Sequence, residues 1–239
     1  MTRRREVGII KSCILSAALV AGLALPAQAD DKIAVSANVA LTTDYVFRGI
    51  SQTLNDPAIQ GGIDATWKMF YVGFWASNVD FGLGDPADIE IDWYGGIRPT
   101  WKNITFDLGV IFYTYPDTGP GYDITEGKIG ASTTLFQNLG VGFTAYLSDR
   151  DYQAYEFYSS YGFKKVWMFT PSVSALVGFV ETDGSYVAND YTYWNAGLTL
   201  GFWEKPSLSF DVRYWDTDNG NACFQFCDSR VVGTLKAVF

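Results

Sequence analysis

The sequence predicts an all-β chain that folds as a transmembrane antiparallel up-and-down β-barrel of about 12 strands. Three observations predict this fold. Apolar and polar residues alternate along most of the chain, which is the period of a β-strand. The connections between the alternating segments are short and long in turn, as they are in membrane barrels. Only 18% of the 239 residues are charged and 17% are aromatic, whereas about 25% of residues are charged in soluble domains.

Residues 1–29 have the features of a cleaved secretory signal peptide. A basic start at 3–5 precedes an apolar stretch over 13–25, and an A-x-A pattern ends at Ala29. This is the order of elements in a signal peptide. An uncleaved membrane anchor is the alternative, but the apolar stretch is shorter than the roughly 20 residues that span a bilayer. The sequence therefore divides into a signal peptide, 1–29, and a barrel, 30–239.

Alternating segments follow one another through the barrel region. In one of them, Leu208, Phe210 and Val212 alternate with Ser209 and Asp211. The pattern gives the segments 33–47, 58–68, 70–81, 88–98, 103–115, 122–136, 139–149, 153–164, 167–180, 191–202, 207–216 and 229–239. The first segment extends to Phe47, so the pattern places Tyr45 and Phe47 on its apolar face.

The apolar face is predicted to face lipid. The polar face is rich in Gly, Ser, Thr and Tyr and poor in Lys, unlike a water-exposed surface. The aromatic residues near segment ends, which are typical of interfacial girdles, are Tyr45, Phe47, Trp67, Phe70, Phe81, Trp101, Phe112, Tyr155, Phe163, Trp167, Phe202 and Tyr214. A soluble secreted barrel or sandwich, with the apolar face inside, is the alternative.

The C-terminal segment alternates up to a terminal Phe239. This ending resembles the signal by which outer-membrane barrels are recognised for assembly. The sequence therefore predicts location in the bacterial outer membrane, after export through the inner membrane. The expected partners are outer-membrane lipid and the outer-membrane assembly machinery.

Several sequence blocks carry a family resemblance. Residues 43–52 read TDYVFRGISQ, and further blocks lie at 75–82, 90–96, 191–197 and 213–218. In these blocks the chain resembles the TorF-family porins of Gram-negative bacteria, and the first block is the most specific. The motif residues in that block are Asp44, Tyr45, Arg48 and Gly49. The resemblance implies a porin-like barrel.

The composition argues against most catalytic and nucleic-acid functions. The chain has no histidine, so Ser-His-Asp, Cys-His and His-metal mechanisms are excluded. Its net charge of -9 is the wrong sign for binding nucleic acid. We expect no enzyme activity, no cofactor and no metal. Glu90 and Asp92 lie about 7 Å apart on one strand face, and such a pair could do acid/base chemistry. The favoured interpretation is that they face lumen bases such as Arg98 and Arg213.

Two functions fit this architecture. The first is a porin-like channel for passive diffusion of small hydrophilic solutes or ions. The second is a structural or interaction barrel whose lumen is closed, without a transport role. The charged residues predicted to line the lumen and set ion preference are Asp64, Glu90, Asp92, Asp107 and Asp211, opposed by Arg98 and Arg213. With the acidic loops, these residues predict a weak cation preference.

Cys223 and Cys227 lie close together in the last long loop. In an oxidising compartment such a pair is expected to form a disulfide that staples the loop. A metal site would need more ligands than the adjacent Asp228 supplies.

Overall fold

The computed structural model describes residues 32–239, with the exception of 83, 117, 120, 137, 184–188, 205 and 219–223. The predicted signal peptide and Cys223 lie outside the described residues. Within the described part of the chain, no helix has the length and apolar character needed to cross a membrane.

Twelve long antiparallel strands form one closed barrel. The strands are β1 (Ala34–Thr42), β2 (Ala58–Trp67), β3 (Phe70–Asn78), β4 (Ile89–Ile97), β5 (Ile104–Thr114), β6 (Ile124–Leu135), β7 (Leu139–Ser148), β8 (Tyr152–Gly162), β9 (Thr170–Thr182), β10 (Tyr191–Glu204), β11 (Ser207–Thr217) and β12 (Arg230–Val238). Each strand pairs with the next in sequence, and β12 pairs with β1. The predicted up-and-down barrel is confirmed.

The barrel closes along the seam between its first and last strands. The register pairs Asn38 with Val238 and Thr42 with Thr234. Beyond the last strand, the Phe239 N–H donates to the Ala37 carbonyl at 2.9 Å, and the Ala37 N–H donates to the Phe239 carbonyl at 3.3 Å. The final residue therefore completes the backbone pairing of the seam.

The barrel is apolar outside and polar inside. On the outer face, Leu108 and Phe112 of β5 are 42% and 46% exposed. On the inner face, Asp92 and Glu126 have no exposed surface. This arrangement is the reverse of that in a soluble protein, and it confirms the prediction that the apolar face points outward.

The two ends of the barrel differ. Two-residue or similarly short turns join β2 to β3, β6 to β7 and β10 to β11, whereas long connections join β1 to β2, β9 to β10 and β11 to β12. The start of β1 and the end of β12 both lie at the short-turn end, because the strand number is even. In bacterial outer-membrane barrels the long loops are extracellular. Trp67, Trp101 and Trp167 are exposed at the short-turn end, as expected of an interfacial girdle.

Strand β1 is shorter than the sequence pattern predicts. It ends at Thr42, and Tyr45, predicted on the outer face, is only 6% exposed inside the lumen. Phe47 also packs inside, edge-to-face on Tyr113, and Phe81 does the same on Tyr115. The outward and girdle assignments of Tyr45, Phe47 and Phe81 are therefore wrong. Alternation continues past Thr42, but the backbone leaves the wall there.

We predict that deleting Phe239 lowers the amount of folded protein in the outer membrane. The deletion removes the last backbone pair of the seam, and unpaired backbone groups in lipid are costly. The measurement is the fraction of heat-modifiable protein in isolated outer membranes. Phe239→Tyr, which keeps the backbone and an aromatic ring, is the matched control and should insert normally. Normal insertion of the deletion variant would contradict the prediction.

Candidate functional site

The connection between β1 and β2, residues 43–57, folds into the barrel, and we call it the inner loop. At its centre Val46 pairs with Ser51 and Phe47 pairs with Ile50. The two residues of the turn, Arg48 and Gly49, have φ angles of 48° and 84°. Two positive φ angles in a two-residue hairpin turn indicate type I′ geometry. We call residues 46–51 the inner hairpin.

Arg48 anchors the tip of the inner hairpin to the wall of the barrel. Its Nη1 and Nη2 atoms donate to Oε1 and Oε2 of Glu126 on β6, at 2.6 and 2.9 Å. Both side chains are buried. A planar guanidinium matched to both carboxylate oxygens is the strongest ion-pair geometry that proteins use.

Tyrosines complete the surroundings of this ion pair. The hydroxyls of Tyr113 and Tyr152 donate to Glu126 at 2.9 and 2.8 Å. The Arg48 guanidinium lies 4.6 Å from the ring centre of Tyr146, which is within cation–π range. Glu126 therefore accepts hydrogen bonds from three side chains. The Arg48 guanidinium lies between the Glu126 carboxylate and the Tyr146 ring.

Electrostatics keep Arg48 charged despite its burial. Burial on its own would lower the pKa of Arg48, but the neighbouring Glu126 charge outweighs that effect and raises the pKa above its usual value. The guanidinium therefore remains a cation in the interior of the barrel.

Gly49 occupies a position that has no room for a side chain. A Cβ atom there would lie 2.8 Å from the Cβ of Tyr193 on β10 and 3.0 Å from the Cβ of Thr217 on β11. Arg48 contacts β6 from one side and Gly49 contacts β10 and β11 from the other. The tip of the inner hairpin therefore lies across the lumen.

Asp44 fastens the base of the inner loop. Its carboxylate accepts hydrogen bonds from Ser51 Oγ at 2.6 Å, Thr53 Oγ1 at 3.0 Å and Arg230 Nη1 at 2.7 Å. The same arginine also donates to Asn55. Asp44 thus ties both arms of the inner loop to the start of β12.

Tyr45 joins the inner loop to β4. Its hydroxyl donates to Glu90 Oε1 at 2.9 Å, and Tyr115 donates to Glu90 Oε2 at 3.0 Å. Burial, together with the Glu90 charge, raises the pKa of Tyr45 well above its usual value. Tyr45 therefore stays neutral and acts as a hydrogen-bond donor.

The predicted pair Glu90 and Asp92 does not meet lumen bases. Glu90 is bonded by tyrosines, and Asp92 has no exposed surface. Neither carboxylate oxygen of Asp92 accepts a hydrogen bond from an N–H or hydroxyl group of the described residues. The expectation that these acids face Arg98 and Arg213 is wrong, because Arg98 contacts Asp107 and Arg213 contacts Asp211.

A cavity of about 310 Å³ lies between the inner hairpin and the short-turn end. The charged residues that line the cavity toward the short-turn end are Asp64, Arg98, Lys128, Asp211, Arg213 and Lys236. Most of them are paired. Arg98 and Lys128 contact Asp107 at 3.1 and 3.0 Å, and Arg213 contacts Asp211 at 3.1 Å.

Toward the short-turn end, two charged groups of the cavity lack an ion pair among the described residues. Asp64 accepts a hydrogen bond from the Tyr94 hydroxyl at 2.7 Å but has no cation in contact. Lys236 lines the cavity near β1 and likewise has no carboxylate in contact. These two side chains are the lumen charges most available to a passing solute.

The structure separates the predicted lumen residues into two groups. Asp64, Arg98, Asp211 and Arg213 line the cavity. Glu90, Asp92 and Asp107 also point inward. Tyr45 bonds Glu90, Tyr71 and Lys128 bond Asp107, and Asp92 is fully buried. Sequence reasoning missed the tyrosines that bond the carboxylates. The places of Tyr94, Tyr113 and Tyr115 on the polar face of their segments were a signal, whereas the pattern placed Tyr45 on the apolar face.

The remaining predicted sites are only partly described. Cys227 is disulfide-bonded, but its predicted partner Cys223 lies outside the described residues, so this pairing stays a prediction. Among the residues the structure covers, no three acidic or cysteine side chains are grouped as a metal ion would need.

Comparisons with known proteins point to the same architecture. Residues 26–239 match the model of a family described as "Bacterial protein of unknown function (Gcw_chp)". No curated protein matches the sequence. The KdgM porin structure is similar with a TM-score of 0.58 and 8% identity, covering 85% of this chain and 98% of that chain.

Two further structures are similar. One is the KdgM porin in complex with disordered oligogalacturonate, with a TM-score of 0.55 and 7% identity, covering 86% and 97% of the two chains. The other is the NanC porin, with a TM-score of 0.51 and 8% identity, covering 86% and 98%. At such low identity the similarity establishes the fold alone.

We predict that Gly49→Ala weakens the seating of the inner hairpin. A methyl group would meet Tyr193 at 2.8 Å, and a non-glycine residue in an unfavourable φ region costs about 1–3 kcal/mol. The measurement is the temperature at which the folded, fast-migrating gel form is lost, which should fall.

Two glycines serve as matched controls for this prediction. Gly84 has a φ of 90° but open space around it, and Gly119 has open space without a positive φ. Gly119→Ala should have no effect, and Gly84→Ala should show the backbone strain alone. If Gly49→Ala and Gly84→Ala lower this temperature equally, the contact between Gly49 and Tyr193 has no energetic role.

Proposed function

The chain belongs to the Gcw_chp family, and we propose that it is an outer-membrane, porin-like channel for passive diffusion of small hydrophilic solutes or ions. One observation carries the proposal: a closed barrel with an apolar outer surface encloses a cavity lined by charged residues. Such an interior is suited to water and hydrated solutes rather than to a packed core.

The comparisons support the hydrophilic solute class. The KdgM porin is described in complex with oligogalacturonate, which is a polar, charged sugar. The resemblance of residues 43–52 to the TorF-family porins supports the same function. The chain has no histidine, which is consistent with transport rather than catalysis.

The proposal includes the route to the membrane. The signal peptide, residues 1–29, would direct the chain through the inner membrane, and Phe239 would be recognised by the assembly machinery. The exposed apolar face of the strands would then contact outer-membrane lipid. Each step follows from the sequence features given above.

We further propose a weak cation preference. The inward-facing acids are Asp44, Asp64, Glu90, Asp92, Asp107, Glu126, Glu156 and Asp211, and the inward-facing bases are Arg48, Arg98, Lys128, Arg213, Arg230 and Lys236. Along the cavity itself the acids and bases nearly cancel. The preference is therefore assigned to the acidic loops at the mouth, which carry Asp56, Asp85, Asp88, Asp190, Asp216 and Asp218, because charges beside a narrow, low-dielectric passage affect ion entry.

Conductance of the purified protein in a planar lipid bilayer tests the channel function. Discrete current steps in the presence of folded protein, and none after heat denaturation, would support it. A barrel with a permanently closed lumen is the second candidate, favoured by the inner loop that crosses the lumen. That candidate gains support if neither the wild type nor a variant without the inner hairpin conducts.

We predict that Asp64→Asn shifts the reversal potential in a KCl gradient toward anions. The substitution removes a negative charge of the cavity that has no ion pair among the described residues, but it keeps the oxygen that accepts the Tyr94 hydrogen bond. Asp92→Asn, at a covered acid, and Leu108→Ala, on the outer face, are the controls and should leave the reversal potential unchanged. An unchanged reversal potential in Asp64→Asn would exclude this carboxylate from the conduction path.

A further inference from the structure

We propose that the inner loop, residues 43–57, is a gate, and that the contact between Arg48 and Glu126 is its latch. The inference rests on the proposed channel function and concerns the regulation of the same lumen. In the closed state the inner hairpin lies between the long-loop end and the cavity. In the open state Arg48 leaves Glu126 and the hairpin swings away from the axis.

The inner hairpin is a separate unit inside the barrel. Its two short strands form a sheet of their own, which is not joined to the strands of the wall. It is held together by its own hydrogen bonds, including Gln52 N–H to the Tyr45 carbonyl at 2.7 Å. Moving the hairpin therefore breaks no backbone pair between barrel strands, so the wall can remain closed while the hairpin moves.

The base of the inner loop has the features of a hinge. Leu54 and Asn55 adopt positive φ angles of 54° and 69°, which are uncommon for residues other than glycine. The base is also fastened, because Asp44 contacts Arg230 and the Asp80 N–H donates to the Gln52 carbonyl at 2.8 Å. A fastened base and a hairpin attached by side chains are the arrangement expected of a rotating flap.

Side chains hold the inner hairpin in the closed state. Arg48 is bonded to Glu126, Tyr45 is bonded to Glu90, and Phe47 packs edge-to-face on Tyr113. A buried ion pair specifies one geometry more than it adds net stability, since both charges lose their hydration. When Arg48 leaves, the Tyr113 and Tyr152 hydroxyls still donate to Glu126, so the carboxylate keeps two hydrogen bonds. This makes release feasible without disrupting the wall.

Planar-bilayer recordings of the purified, full-length mature protein test the gate. The variants are Arg48→Ala and Glu126→Gln, which break the latch, and Arg48→Lys, which keeps the charge but loses the two-pronged contact. We expect the first two to raise the open probability at least about tenfold, because hydrogen bonds between charged groups are lost. Arg48→Lys should fall between them and the wild type.

A matched control and a second variant keep the test decisive. Arg150→Ala removes an arginine from the loop end, where it donates to the Asp123 carbonyl, and should leave the open probability unchanged. Replacing residues 46–51 by Gly-Gly removes the gate and should give a permanently open channel. Heat-modifiable migration of each variant verifies that the barrel is folded.

The outcomes separate this inference from the channel function. If the wild type conducts and the latch variants have the same open probability, the gate is refuted while the channel stands. If the wild type is silent and the latch variants conduct, both are supported. If no folded variant conducts, the proposed channel function fails. If only the Gly-Gly variant conducts more, the hairpin blocks the lumen but Arg48 is not its latch.

Discussion

Every other feature of this barrel depends on the pairing of all backbone groups that face lipid. An unpaired N–H or carbonyl group in hydrocarbon costs several kcal/mol, so the sheet must close on itself. The seam from Ala37 and Phe239 to Thr42 and Thr234 achieves this closure. Once the wall is closed, side chains alternate between lipid and lumen along each strand, apart from a bulge between Gly201 and Trp203. The buried charged residues, such as Asp92 and Glu126, are then directed inward.

The polar interior creates its own requirement, which is to satisfy buried charges without a large supply of lysine or arginine. Glu90, Glu126 and Glu156 are bonded by tyrosine hydroxyls in the long-loop half of the lumen. A tyrosine supplies bulk, a rigid ring and one strong donor. The high tyrosine content of the chain, 15 residues, therefore serves the interior as well as the membrane interface.

The sequence predicts the wall well and the lumen poorly, for a physical reason. Period-2 alternation reports which face of a strand is polar, so strand number and inside–outside orientation follow from it. It cannot report where the backbone leaves the wall. Tyr45 and Phe47 continue the alternation of β1, yet they lie on a hairpin inside the barrel. The resemblance over 43–52 singled out Arg48 and Gly49 but said nothing of their contacts. Those contacts are made with β6, β10 and β11, which are distant in sequence.

The distribution of charge along the axis divides the lumen into two parts with different properties. In the long-loop half, Arg48 is matched to Glu126 and Asp44 is matched to Arg230, so the charges there hold structure in place and are not free to attract ions. In the short-turn half, Asp64 and Lys236 face the cavity without an ion pair among the described residues. Because a matched pair has almost no net field beyond its immediate surroundings, Asp64 and Lys236 are the charges of the short-turn half whose field reaches a passing ion. A substitution at Asp64 changes that field and leaves the Arg48 and Asp44 contacts in place, whereas Arg48→Ala also changes the charge of the lumen, because it leaves Glu126 without its counter-ion.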